Sequence, residues 1–291
     1  MTIIELWRSN SVLFISSVGL LGLLIGSFIN VLVYRLPQML MADWRSQARE
    51  LLALPEQECT QPVNLLQPRS SCPSCAYPIK VWENIPLISW LVLRGKCTGC
   101  KAAISLRYPL VELACALLSM LIAGLYGVSW EALAMLLLTW GLLAMSLIDA
   151  QQQIVPDVLV LTLLWLGLML NSFALLASLS AALWGAFIGY LSLWSIFWLF
   201  KLLTGKEGLG YGDFKLLALL GAWGGWQILP LTLLLASVAG ALVGSVLLRW
   251  QGSNFRQPIS FAPYLAIAGW LALIWGDDIT VGYLAFAVEL I

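Results

Sequence analysis

The chain contains no histidine. That absence removes Ser-His-Asp and Cys-His catalysis and every metal site built on imidazole. Charge is scarce as well: Asp, Glu, Lys and Arg make up 10% of the residues, against about 25% in ordinary soluble domains. The 15 basic residues balance the 15 acidic ones, so the charge points to no nucleic acid or other polyanion. There is no Walker sequence, and no G-x-G-x-x-G follows a strand, which leaves nucleotide binding without support. Internal repeats, low-complexity tracts and heptad arrays are also missing. Carboxylates and thiolates are what remain for chemistry.

What the chain has is apolar length. It is 61% hydrophobic, and the apolar residues fall in runs of about 20, enough to cross a bilayer. The expected fold is an all-α polytopic membrane protein with about eight transmembrane helices, near 11–34, 108–127, 130–148, 158–177, 181–201, 214–229, 230–248 and 259–276. The first run is too long for a signal-peptide core, and no A-x-A site follows it, so it reads as a retained span. The residues after Trp275 are too few for another. Gly22-x3-Gly26, Gly185-x3-Gly189 and Gly240-x3-Gly244 have helix-contact spacing. With alternating spans and the N-terminus outside, one face collects every basic residue except Arg8, 14 of the 15. By the positive-inside rule that face is cytoplasmic. The chain then divides into a first span (1–34), a cytoplasmic insert (35–107) and a transmembrane bundle (108–291).

The insert begins with "QMLMADWRSQARELLA", which reads as a short amphipathic helix near the membrane surface. "CPSC" follows at Cys72–Cys75 and "CTGC" at Cys97–Cys100. Two C-x2-C pairs at this separation place four thiolates at the corners of a tetrahedron, the pattern of a structural zinc site with closed coordination. Two disulfides are the alternative, which a reducing cytoplasm disfavours. Cys59 and Cys115 lie outside the pattern and read as bystanders.

Of the six aspartates, Asp43 reads as solvated, and Asp277 and Asp278 as a wetted loop. Asp149, Asp157 and Asp213 instead fall at the cytoplasmic edge of spans three, four and six, where a carboxylate is costly. Asp157 is read foremost as a helix N-cap. Asp213 ends the string "GLGYGD", whose glycines suit positive φ and close approach by another chain. Two aspartates at one depth on different helices can form a dyad. Like charges close together share one proton; the ionised partner activates water and the protonated one polarises a carbonyl. This is peptide hydrolysis without histidine.

At these residues the sequence resembles the type IV prepilin peptidases, the bifunctional leader peptidases and N-methyltransferases of pilus and type II secretion systems. "GSFINVLVYRLP" at Gly26–Pro37, "CPSC", "RGKCTGCKAAISLRYPLVE", "DAQQQIVPD" and "GLGYGDFKLLALLGAW" follow in family order. The last resembles the G-x-G-D signature of intramembrane aspartyl proteases. The resemblance implies that Asp149 and Asp213 are the catalytic pair. It implies cleavage of a basic leader from prepilins or pseudopilins on the cytoplasmic side of the inner membrane. The new N-terminal residue is then methylated with S-adenosylmethionine. Lys96 and Glu112 are candidates near the methyl-transfer site, and Glu112 also reads as an ion-pair partner of Arg107. Two other classes remain open: a carboxylate-based ion transporter, which would show inverted repeats or broken midplane helices, and a non-enzymatic assembly factor docking through the cysteine insert. Neither partner choice nor oligomeric state is legible.

Overall fold

The computed structural model describes residues 2–54, 64–206, 208–251 and 260–289. It is helical throughout; the described residues form no strand, only two isolated β-bridges. The helices are α1 (Ile3–Ser9), α2 (Ser11–Leu51), α3 (Ile88–Val92), α4 (Arg107–Tyr126), α5 (Trp130–Gln152), α6 (Asp157–Asn171), α7 (Leu179–Thr204), α8 (Tyr211–Gly224), α9 (Leu229–Gln251) and α10 (Ala262–Glu289). A helix occupies each of the expected apolar stretches. Six are long and apolar enough to cross a membrane. α6 and α8 are shorter, at 15 and 14 residues. At 1.5 Å per residue they reach roughly 20 Å, short of a hydrocarbon core of about 30 Å. Two compact units result, Met1–Trp140 and Gly141–Ile291.

Two sequence expectations about helix ends are corrected. No separate amphipathic helix follows the first span, because α2 continues for 41 residues with Pro37 inside it. That is roughly 60 Å, about twice a bilayer core. Beyond Pro37 the run to Leu51 holds no glycine and is rich in Leu, Met, Ala, Arg, Gln and Glu, so nothing stops the helix. At the other end, Asp277 and Asp278 are exposed on α10 rather than on a loop.

In the first unit α2 packs against α4 through its glycines. A Cβ at Gly22 would meet the Cα of Ala116 at 2.9 Å, and one at Gly26 the Cα of Glu112 at 2.7 Å. Asn30, buried at this seam, donates to the carbonyl of Tyr108 at 3.1 Å. The buried Arg35 fastens the start of the insert: its guanidinium donates to the carbonyls of Asn64 (2.9 Å), Leu65 (3.3 Å) and Pro68 (2.6 Å).

In the second unit α8 is the central helix. Every residue from Asp213 to Trp223 is buried except Lys215. A helix that is apolar on all sides must be enclosed, which is why α8 need not be long. α7 approaches it backbone to backbone. A Cβ on Gly185 or on Gly221 would collide with the other residue's carbonyl, and one on Gly189 would meet the carbonyl oxygen of Leu217 at 2.7 Å. Gly240 makes no comparable approach; its nearest neighbours are aromatic side chains at 3.7 Å. The C-terminal end of α8 is held by Asn171. Its amide donates to the carbonyls of Ala222 and Trp223 at 2.9 Å, and its oxygen accepts from the N–H groups of Leu176 and Ala177.

Candidate functional site

The second unit brings Asp149 and Asp213 together. Asp149 lies in the last turn of α5 and Asp213 in the first turn of α8, and each is only 6% exposed. Their carboxyl groups are close enough for the charge of one to act on the other. The N–H of Gly210 donates to Asp213 Oδ2 at 3.3 Å, and the Asp213 N–H donates to the Gly210 carbonyl at 3.1 Å. Asp213 is therefore bonded back to the residue that caps α8. The Ala262 N–H is directed at the Asp149 carboxyl group, and the Ser260 hydroxyl donates to the Asp149 carbonyl at 3.0 Å. Asp149 Oδ2 is buried and has no hydrogen-bond partner among the described residues. An unsatisfied buried acceptor costs about 1–3 kcal/mol and more when charged, so packing alone does not account for this oxygen.

The glycines before Asp213 act mostly through space. Only Gly205 has a positive φ, +70°, at the end of α7. Gly210 is extended at φ −83°. A Cβ on Gly208 would press on the Phe200 ring at 2.9 Å, and one on Gly212 would meet the Val155 Cβ at 2.7 Å. Asp157 proves not to be an N-cap: Pro156 holds that position. Its carboxylate pairs with Lys215, whose Nζ lies 2.6 and 2.8 Å from the two oxygens. Two residues beyond Asp213, Lys215 turns to Asp157 and leaves the buried pair to itself.

The four paired cysteines of the insert also meet. All four sulfurs lie within 4.8 Å of one another, with Cys72 to Cys100 at 3.8 Å and Cys75 to Cys97 at 4.0 Å. A tetrahedron with Zn–S bonds of ~2.3 Å has edges of ~3.8 Å, whereas a disulfide requires ~2.05 Å. The residues fit a metal ion and not disulfides. The two knuckles repeat the same local structure, a repeat that the sequence shows only as C-x2-C. In the first, Cys72 N–H bonds to the Tyr77 carbonyl and Ala76 N–H to that of Cys72; in the second, Cys97 bonds to Ala102 and Lys101 to Cys97. Ala76 and Lys101 both take left-handed backbone, φ 56° and 60°. The N–H groups of Ser74 and Cys75 point at the Cys72 sulfur and favour its thiolate. Cys115 is buried in α4. Cys59 lies outside the described residues.

Glu112 belongs to the framework that joins insert to span. Its Oε2 accepts the Leu87 N–H at 2.8 Å, and Ser27 also bonds its carboxyl group. Glu83 fixes the 3-10 turn Val81–Asn84. The Lys80 N–H and the Thr98 side chain bond it and hold its carboxyl below the usual range. Between Trp82, Glu83, Ile88, Val92 and Thr98 lies a hollow of about 170 Å³. Pockets for cofactor-sized ligands start at roughly 300 Å³, so this hollow does not fit a whole S-adenosylmethionine.

Comparison with known proteins decides the family. The bacterial peptidase A24 N-terminal domain matches residues 20–126, and the type IV leader peptidase family matches residues 136–245. A protein of Stutzerimonas stutzeri named prepilin leader peptidase/N-methyltransferase is 64% identical over 99% of both chains. The chain belongs to the type IV leader peptidase family. Proteins of the same name from Pseudomonas aeruginosa, 61% identical over 99% of both chains, and Aeromonas salmonicida, 52% identical over 97% of this chain and 98% of the other, agree. No solved structure matches. The first matched region ends with α4 at residue 126 and the second begins at residue 136, within α5, so the cysteine insert falls wholly in the first and both buried aspartates in the second.

Proposed function

We propose that this chain is a prepilin leader peptidase and N-methyltransferase of the bacterial inner membrane, with Asp149 and Asp213 as its peptidase dyad. The observation that carries the peptidase assignment is the pairing of two buried carboxyl groups from α5 and α8, one with an oxygen that no described residue satisfies. Two buried carboxyls that feel each other's charge do not both ionise easily, so one proton serves the pair. The ionised one takes a proton from water as the water attacks the scissile carbonyl. The protonated one donates to the carbonyl oxygen, and the proton returns as the amine leaves. Ala262 and Gly210, through their N–H groups, hold the two carboxyls in place during this exchange. The substrate is a prepilin or pseudopilin whose leader ends where its hydrophobic helix begins, a bond at the same membrane edge as the dyad. With alternating spans, the basic-residue count supports a cytoplasmic position for the dyad and the insert.

Zinc held by Cys72, Cys75, Cys97 and Cys100 would stabilise the insert with all four positions closed. S-adenosylmethionine is the methyl donor that the family name implies, and Lys96 stands beside the second knuckle as a candidate for that step. Neither an ion transporter nor a passive assembly factor explains a paired, partly unsatisfied carboxyl dyad in a family of peptidases. The test is the cleavage rate of a purified prepilin by Asp149→Asn and Asp213→Asn at matched folded concentration. Both should fail to cleave; near-normal cleavage by either removes that residue from the dyad.

A further inference from the structure

We infer that the insert is seated on the bilayer, with Trp82, Ile88, Leu91 and Val92 in the lipid at the membrane edge. This goes beyond the peptidase reading and rests only on the chain spanning a membrane. The first observation is exposure. These four side chains are 65%, 58%, 67% and 74% exposed and close together in sequence and space, on α3 and on the turn whose residues share a hollow with it. A contiguous apolar surface of this kind on a small segment marks an interaction site.

The second observation is depth. Leu87, the residue before α3, is tied by its N–H to Glu112 at 2.8 Å. Glu112 is level with Gly26, whose Cβ would lie 2.7 Å from its Cα. Gly26 stands eight residues before Tyr34, where the apolar run of α2 ends, or roughly 12 Å inside it. Helical side chains lean toward the N-terminus, and in α4 that is the polar end, so the glutamate reaches back a few Å. Leu87 is left roughly 5–10 Å below the edge, the depth at which interfacial apolar faces sit. Its attachment is costly and therefore specific. Leu87 has φ 59° and ψ −49°, and the Ile88 N–H bonds to the Pro86 carbonyl at 2.6 Å in a γ-turn. Such backbone costs on the order of 1–3 kcal/mol and persists only where the surroundings hold it.

The rim has the charge of a membrane-surface segment. The Lys80 ammonium lies 5.4 Å from the Trp82 ring centroid, and Arg94 and Lys96 are exposed just past α3. Tryptophan with flanking cations is the composition of a headgroup anchor. The four apolar side chains thus continue the lipid-facing surface of α2 and α4 rather than waiting for a protein.

The full-length protein, with Cys59 and Cys115 replaced by serine and the zinc ligands kept, is reconstituted in vesicles of mixed zwitterionic and anionic lipid. A nitroxide is placed at Leu91→Cys or Val92→Cys. Collision with oxygen and with a water-soluble nickel chelate is read by electron paramagnetic resonance. Leu24→Cys on the 55% exposed, lipid-facing side of α2 and Ser46→Cys, exposed on its extension, calibrate lipid and water. Zinc content and prepilin cleavage are measured on the same samples to show that each labelled chain is folded. The inference predicts that labels at 91 and 92 behave like that at 24, with oxygen favoured over nickel. Labels that behave like that at 46 overturn it. Labels that are wet alone and shielded only when prepilin is added also overturn it, by assigning the face to a protein. Because the readout does not depend on catalysis, it fails or holds separately from the dyad.

Discussion

Between residues 64 and 106 the buried residues are Cys72, Pro86, Ser89, Gly95 and Cys97, with no large aliphatic or aromatic side chain among them. Along α8, by contrast, Phe214, Leu216, Leu217, Leu219, Leu220 and Trp223 are all completely buried. The insert is held by point attachments: four sulfurs, the Arg35 clamp, the Glu112–Leu87 bond and Gly95. At Gly95 φ is +65°, and a Cβ would strike the Trp90 ring at 2.8 Å. The aspartate-bearing unit is held by continuous packing against a helix enclosed on every side. A region without a core depends on its few attachments, the proposed zinc first among them; a region built around an enclosed helix depends on its glycines. Each therefore has its own way to fail.

The largest effect is expected at the dyad. Asp149→Asn or Asp213→Asn keeps side-chain volume but removes proton exchange, and cleavage should fall by about 10²–10⁴-fold, with zinc content unchanged. Next comes the metal. Cys72→Ser with Cys97→Ser should release one zinc per chain and loosen the insert to proteolysis, while the spans remain inserted. Zinc in such small sites supplies roughly 10 kcal/mol or more of apparent binding energy. Metal analysis of the wild-type protein that finds no zinc would break this side of the comparison. Gly221→Val is the complementary change. It drives a side chain into the α7 backbone, and overpacking costs typically about 1–3 kcal/mol, occasionally more. Thermal unfolding should drop with zinc still bound. Asp157→Asn is the smallest. The Lys215 pair is 28% and 59% exposed, and such pairs are worth about 0–1 kcal/mol, so cleavage should change less than about fivefold. A dead Asp157→Asn beside an active Asp149→Asn would mean that the wrong partner has been assigned to Asp213.

Much of this was legible beforehand because long apolar runs and cysteine spacing are local signals. The helix positions, the meeting of the four cysteines, and the Gly22–Gly26 and Gly185–Gly189 contacts all follow from spacing along one segment. What was not legible depends on partners distant in sequence. Asp157 has the composition of an N-cap, and only the fold reveals Lys215 opposite it. Glu112 looked like half of an ion pair with Arg107, five residues away, yet it holds the N–H of Leu87. The glycines before Asp213 suggested left-handed backbone, whereas Gly208 and Gly212 make room for Phe200 and Val155. The length of α2 was missed because a proline after an apolar run reads as a helix end, and Pro37 is instead carried within one.

The proposed division of labour gives leader cleavage to the buried aspartates, with the insert as the candidate region for methyl transfer. The most direct test is mass spectrometry of a pilin incubated with each variant, with and without S-adenosylmethionine, because it reads the two products separately. Asp213→Asn should leave prepilin uncut yet methylate a mature pilin supplied already cleaved. Lys96→Ala should cut prepilin near the wild-type rate and leave its new N-terminus less methylated. If Asp213→Asn loses both activities together, and Lys96→Ala lowers cleavage as much as methylation, the two chemistries do not divide along these regions.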